Sequence, residues 1–170
     1  MSISVVIRAS TRLDALKSCL DSLSKQSRPP DEVIVVASAR DHGGPGSGDL
    51  ARVLAEWQAS SQPGPRVKIT TPESAGPIAA LNKGRESASS TIVCFISEDG
   101  VAARDWLAAI EEDFEDPLIG GVGGPVILPA KIDPAVARAA STPNPSCPAG
   151  TRNVTASPTC PASTTNVTVS

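Results

Sequence analysis

A chain of 170 residues with 15 Lys and Arg against 18 Asp and Glu, and a formal net charge of −3, has no excess of basic groups with which to neutralise a nucleic-acid backbone. It is long enough for one domain with a real core, and its aromatics (two Trp, two Phe, no Tyr) leave that core to Val, Ile, Leu and Ala and offer no stacking platform for single strands. No apolar stretch approaches the roughly 20 residues of a membrane span, and the run Val5, Val6, Ile7 is too short for a signal peptide and is interrupted by Arg8, so the expected location is cytoplasmic.

Residues 3–7 are a short β-branched run, hence a strand. Thr11, Arg12, Leu13 and Asp14 then read as a capping box, with Thr11 as the N-cap. Leu13, Leu16, Leu20 and Leu23 follow at helical spacing, and Pro29 and Pro30 close the unit. Residues 33–36 are a second strand. The glycine-rich loop after it, residues 43–48, matches neither of the common phosphate-binding glycine spacings and reads as a flexible connection. His42, the one histidine, sits in that region with no second histidine and no nucleophile motif beside it. Leu50, Val53, Leu54 and Trp57 mark a second helix, which Pro63, Gly64 and Pro65 end. Residues 67–70 are a weaker third strand.

Gly76 and Pro77 open a third helix, where Pro is tolerated in the first turn. Ile78, Leu81 and Ala88 mark its apolar face, and the small residues at its start permit close approach to a ligand or a strand. Asn82 sits mid-helix, where its propensity is poor, so a tertiary hydrogen bond is expected of it. Residues 91–96 are a fourth strand, and Trp106, Leu107, Ile110 and Phe114 mark a fourth helix. The charged run from Glu111 to Asp116 reads as a solvated face. Residues 120–128 are a further strand with glycines permitting close backbone approach.

After about residue 130, Pro, Ser, Thr and Ala dominate, and no Asp or Glu follows Asp133. Such a segment cannot offset the entropy of ordering, so a disordered tail is expected. Cys19 and Cys94 fall on buried-looking positions. Cys147 and Cys160 lie in the tail without metal-ligand spacing. The sequons at Asn153 and Asn166 carry little meaning without a secretory signal. Two units result: an α/β domain over 1–130 and a low-complexity segment over 131–170.

Alternation of strand and helix implies a mostly parallel sheet with helices on both faces. Ligands of such a sheet bind beyond the carboxyl ends of its strands. Glu98 and Asp99 stand there, directly after an apolar strand, where carboxylates are costly to bury. Two hard oxygen donors can hold a divalent cation, and the cation a diphosphate. The competing reading is a solvated turn whose carboxylates cap the helix that begins near Arg104. A phosphotransfer receiver or dehalogenase-like fold needs an aspartate after the first strand, and residues 8–11 contain none.

In order, Ser4 to Ile7, Leu20 to Leu23, Pro30 to Val36, Gly76-Pro77 with Asn82-Lys83-Gly84, and Phe95 to Asp99 with Asp105-Trp106-Leu107 resemble the family 2 glycosyltransferases over about residues 2–128. The resemblance implies the GT-A fold, a Rossmann-like α/β/α sandwich. It also implies inverting transfer of a sugar from a UDP- or GDP-sugar donor, with Mg²⁺ or Mn²⁺ on a DxD-like aspartate. By position, Asp99 is then the metal ligand and Glu98 a donor contact. Arg8, Ala9, Ser10 and Arg12 form the loop facing the nucleotide; Ser38, Gly76 and Asn82 complete the donor side. Departures are equally specific. Residues 8–11 lack the aromatic of the family's first loop, Ala37 and Ser38 stand where acidic residues read the base, and Ser97 replaces the first acid of the DxD-like step. No catalytic base is identified, because the family's base follows the metal motif in the acceptor half. The expectation is a donor-binding part of a glycosyltransferase, truncated, degenerate or out of frame after about residue 130. The alternative is an inactive nucleotide-sugar-binding module acting through a partner. The acceptor (saccharide, lipid or protein) is open, no nucleic acid is expected, and any membrane association would be peripheral, through a partner.

Overall fold

The computed structural model describes residues 1–10, 12–37, 47–61, 64–125, 152–153 and 165–169. Four parallel strands form its frame: β1 (Ile3–Ala9), β2 (Glu32–Ala37), β3 (Arg66–Thr70) and β4 (Ile92–Ser97), side by side in the order β3-β2-β1-β4. Parallel neighbours cannot be joined by a hairpin, and each strand is followed by a helix. These are α1 (Leu13–Ser24), α2 (Ser47–Ser60), α3 (Pro77–Ser87) and α4 (Trp106–Asp113). The chain steps outward from β1 to β2 and β3, then crosses back to β4. The order therefore reverses at the β1/β4 pair, which is where an open α/β sheet offers a crevice.

On the far side of β4 lies β7 (Thr165–Val169), antiparallel both to β4 and to β5 (Val122–Gly124); β6 (Arg152–Asn153) runs parallel to β5. Of the expected disordered tail, all but residues 152–153 and 165–169 lies outside the described residues. Thr11, Ser38, His42, Cys147 and Cys160 lie outside them as well.

Alternation along the strands divides the core in two. Val5, Ile7, Val33, Val35, Cys94 and Ile96 face α1, α2 and α4, where Leu16, Leu20, Leu23, Leu50, Val53, Leu54, Trp57, Leu107 and Ile110 close over them. The helical faces expected for α1, α2 and α4 are the buried ones. The opposite face is thinner: Val6, Ile34, Val36 and Val93 meet Ala80 of α3.

Two local expectations are corrected. The apolar spacing of α3 pointed to Ile78, Leu81 and Ala88 as its buried face. Instead Ala80 and Gly84 are buried and Ile78 and Leu81 are exposed; of the three expected, Ala88, just past the helix end, is partly buried against the core. A Cβ on Gly84 would come within 2.3 Å of Val6 Cγ1 and 3.1 Å of Val36 Cγ2, so this helix lies on the sheet through backbone and methyl groups. Dense contact along that close approach outweighs burial of two larger side chains. At α1, Arg12 holds the N-cap position, and no side-chain cap is found there among the described residues; Thr11, the cap expected from sequence, lies outside them.

Two polar anchors set the ends of the sheet. Glu32, fully buried, accepts from Ser4 Oγ at 2.6 Å and from the Ser89 amide at 3.0 Å, and pairs with Lys68 Nζ at 2.6 Å. Gln26 donates to the Ala103 carbonyl at 2.6 Å and accepts the Leu107 amide at 3.1 Å, which ties the start of α4 to the end of α1. That second anchor holds the loop leaving β4 in place. The charged run expected to be a solvated face also has a role, because Glu111 pairs with Arg28 and with the N-terminal amine.

Candidate functional site

β1 and β4 end side by side, with Arg8 in register with Ser97. Beyond them the chain leaves β4 in a tight turn closed by the Gly100 amide donating to the Ser97 carbonyl at 2.9 Å. The two carboxylates of that turn have different surroundings. The Glu98 side chain is 5 % exposed. It accepts the amide and the hydroxyl of Ser10, and Arg12 Nε at 3.2 Å. The Asp99 side chain is 52 % exposed. It accepts the Ser97 hydroxyl and Arg12 Nη2 at 3.0 Å. One guanidinium thus spans both carboxylates, and Glu98 ties the loop after β1 to the loop after β4.

This geometry decides against the helix-capping reading of the acidic pair. Asp105 precedes α4 without a side-chain cap, while Glu98 and Asp99 bond to Ser10, Arg12 and Ser97. Electrostatics follow from the contacts. The hydroxyl of Ser97 and the guanidinium of Arg12 hold Asp99 below the usual carboxylate range. The same carboxylate, then Glu98, pushes Arg12 higher still. Burial pushes the thiols of Cys19 and Cys94 up to about 12, so neither is a nucleophile near neutral pH.

The other expected donor-side residues are distributed unevenly. Arg8 is exposed and, by alternation with Val6, belongs to the α3 face of the sheet end. Ala9 turns its methyl into the core beside Ile7, leaving only its backbone to meet a ligand. Ser10 is half-buried on Glu98. Gly76 is the N-cap of α3 at φ +134°, a conformation L side chains rarely adopt, which explains glycine there. Asn82 is exposed, and its side chain makes no hydrogen bond among the described residues, so the tertiary bond expected of it is not found there. The sequence reading missed the double bridge of Arg12. Its only signal was an arginine in the loop expected to face the nucleotide, at the same edge of the sheet as the acidic turn.

The residues fit a divalent cation in one specific way. Among the described residues no three His, Cys, Asp or Glu side chains cluster as an all-protein metal cage would require. Mg²⁺-like ions, however, commonly take one or two carboxylates and fill the remaining positions with phosphate oxygens and water. Asp99 can be that carboxylate: it is accessible, and its partners are a hydroxyl and an exposed guanidinium. Glu98, buried and fully engaged, is a poor second ligand.

A family model described as "Glycosyl transferase family 2" matches residues 4–133, which contain both strand ends and the acidic turn. The chain belongs to that family. No curated protein matches it by sequence. Among solved structures, this family 2 chain is similar to the mannosyltransferase PcManGT from Pyrobaculum calidifontis in complex with GDP-Man and Mn²⁺. The two are 25 % identical with a TM-score of 0.59, over 74 % of this chain and 35 % of that one. Residues 1–349 of S. aureus TarS in complex with UDP-GlcNAc align at TM-score 0.63 and 17 % identity, over 79 % of this chain and 37 % of that one. Glucosyl-3-phosphoglycerate synthase from Mycobacterium tuberculosis, in complex with Mn²⁺, UDP and glucosyl-3-phosphoglycerate, aligns at TM-score 0.54 and 20 % identity, over 74 % and 44 %. The family 2 chain therefore spans less than half the length of each of these chains. Among its described residues, no helix is long and apolar enough to cross a membrane.

Proposed function

We propose that this chain is the donor-binding part of a family 2 glycosyltransferase, taking a nucleoside-diphosphate sugar at the carboxyl ends of β1 and β4. The observation that carries this reading is the Ser10–Glu98 and Arg12–Asp99 tie between the two loops, which presents one accessible carboxylate and one guanidinium at the order reversal of the sheet. The GDP-Man and Mn²⁺ bound by PcManGT support a donor of this class.

In the reaction, the acceptor oxygen forms a bond to the anomeric carbon as the bond from that carbon to the β-phosphate oxygen breaks. The nucleoside diphosphate departs with the electron pair, and the acceptor proton goes to a base. Asp99 would hold a Mg²⁺ or Mn²⁺ ion, which when bound offsets the charge that develops on the leaving diphosphate. Glu98 fixes the loop after β1, so Ser10 meets the donor without reorganisation. The described residues thus supply the leaving-group side of the reaction. No catalytic base and no acceptor site are assigned among the described residues.

Calorimetry with UDP and GDP, each with and without Mn²⁺, tests the reading, alongside a transfer assay using the corresponding sugars. Metal-dependent binding of one nucleotide is expected. Binding without transfer would favour a binding module acting through a partner, and the absence of binding to either nucleotide would remove the proposal.

A further inference from the structure

We infer that Arg12 is a resident counter-cation of the acidic turn, which a divalent metal must displace from Asp99 and which pivots toward the donor diphosphate when displaced. The inference rests on the donor-binding reading above.

The two contacts of Arg12 are unequal. Its Nε bonds Glu98, which is buried and held in addition by the amide and hydroxyl of Ser10. Its Nη2 bonds Asp99 at 3.0 Å, at a carboxylate that is half exposed. The Arg12 side chain is itself 59 % exposed. The Glu98 contact therefore serves as a hinge and the Asp99 contact as the releasable end. A cation arriving at Asp99 meets a carboxylate already neutralised by a guanidinium that is charged at every accessible pH. The two positive charges repel each other across Asp99 Oδ2, so metal binding and the Arg12–Asp99 bond oppose each other there. A guanidinium freed at one end but hinged at the other stays within the site, where its planar donors suit phosphate oxygens. Ser97 completes the arrangement. Its hydroxyl bonds the other oxygen of Asp99, and a neutral hydroxyl offers a cation no charge to compensate for the displaced arginine.

The test is Mn²⁺ binding to the full chain without nucleotide, followed by the paramagnetic resonance signal of the free ion. Arg12→Gln keeps polar atoms beside Glu98 but removes the charge. It should raise Mn²⁺ affinity by roughly two- to five-fold, the range set by a partly exposed ion pair. Arg12→Lys retains the charge and should stay near wild type, which separates charge from side-chain volume. Thermal melting of both variants checks that they fold. At saturating Mn²⁺, UDP or GDP should bind Arg12→Gln more weakly than wild type. Unchanged, weaker or undetectable Mn²⁺ binding in a folded Arg12→Gln chain would overturn the exchange, as would a gain shared equally by Arg12→Lys. Undiminished nucleotide binding in Arg12→Gln would overturn the pivot. If Arg12→Gln gains Mn²⁺ affinity while neither nucleotide binds any variant, the exchange stands and the donor reading falls.

Discussion

At the scale of single residues, the two adjacent carboxylates of the turn after β4 have separate tasks set by burial. Glu98 lies under the loop after β1 with three donors on it, so its loss is structural as well as functional. Glu98→Ala should lower stability by about 1–3 kcal/mol, because the Ser10 amide and hydroxyl and Arg12 lose their shared acceptor. Denaturant unfolding followed by Trp fluorescence would measure it. Asp99, half exposed, contributes little to folding. Asp99→Asn should leave the melting temperature within a degree or two yet weaken metal-dependent nucleotide binding by at least roughly ten-fold, since an amide is a poor ligand for a hard cation. Calorimetry with and without Mn²⁺ would show both halves of that outcome.

At the scale of elements, α3 is the part of the fold most sensitive to a single methyl. Gly84 lies so close to Val6 and Val36 that an added Cβ has no space, and the neighbours it would strike are side chains of central strands. Gly84→Ala should cost about 1–3 kcal/mol, although alanine is the better helix former by about 1 kcal/mol. A stability gain on denaturant unfolding would show that the helix can lift without penalty. Ile78, by contrast, is 72 % exposed, and Ile78→Ser should change stability by less than about 0.5 kcal/mol. The comparison of these two substitutions reports which face of α3 meets the sheet.

At the scale of the whole molecule, the pH dependence of folding converges on one buried carboxylate. Burial works to raise Glu32, but the Lys68 ammonium, the Ser4 hydroxyl and the Ser89 amide outweigh it and lower it from 4.5 to about 2. A carboxylate lowered in the folded state favours folding above its unfolded value. That contribution disappears as pH falls through the folded value. Stability should therefore hold above about pH 5 and decline from there toward pH 2. This group accounts for about 2 kcal/mol of the loss after allowance for the partly exposed Lys68. Glu32→Gln should flatten that part of the curve, as denaturant unfolding from pH 2 to 7 would show. The anchor bridges β1, β2, β3 and the chain entering β4, so its protonation loosens the frame that aligns the two site loops.

Local pattern alone determined the alternation of strand and helix, the parallel sheet and the position of the acidic turn at its carboxyl edge. Each of these depends on periodicity within a few residues: the β-branched run of β1, the spacing from Leu13 to Leu23, the apolar stretch ending at Ser97. Tertiary structure decided the rest, because it depends on distance across the fold. Which side of α3 lies down was set by the room left above Val6 and Val36, and the larger side chains Ile78 and Leu81 pointed the wrong way. The roles of Glu98 and Asp99 diverged only when β1 and β4 came together and brought Ser10 and Arg12, 86 to 88 residues away, onto them. Neighbours in sequence carry no record of that pairing, since burial and charge compensation are properties of the assembled sheet end.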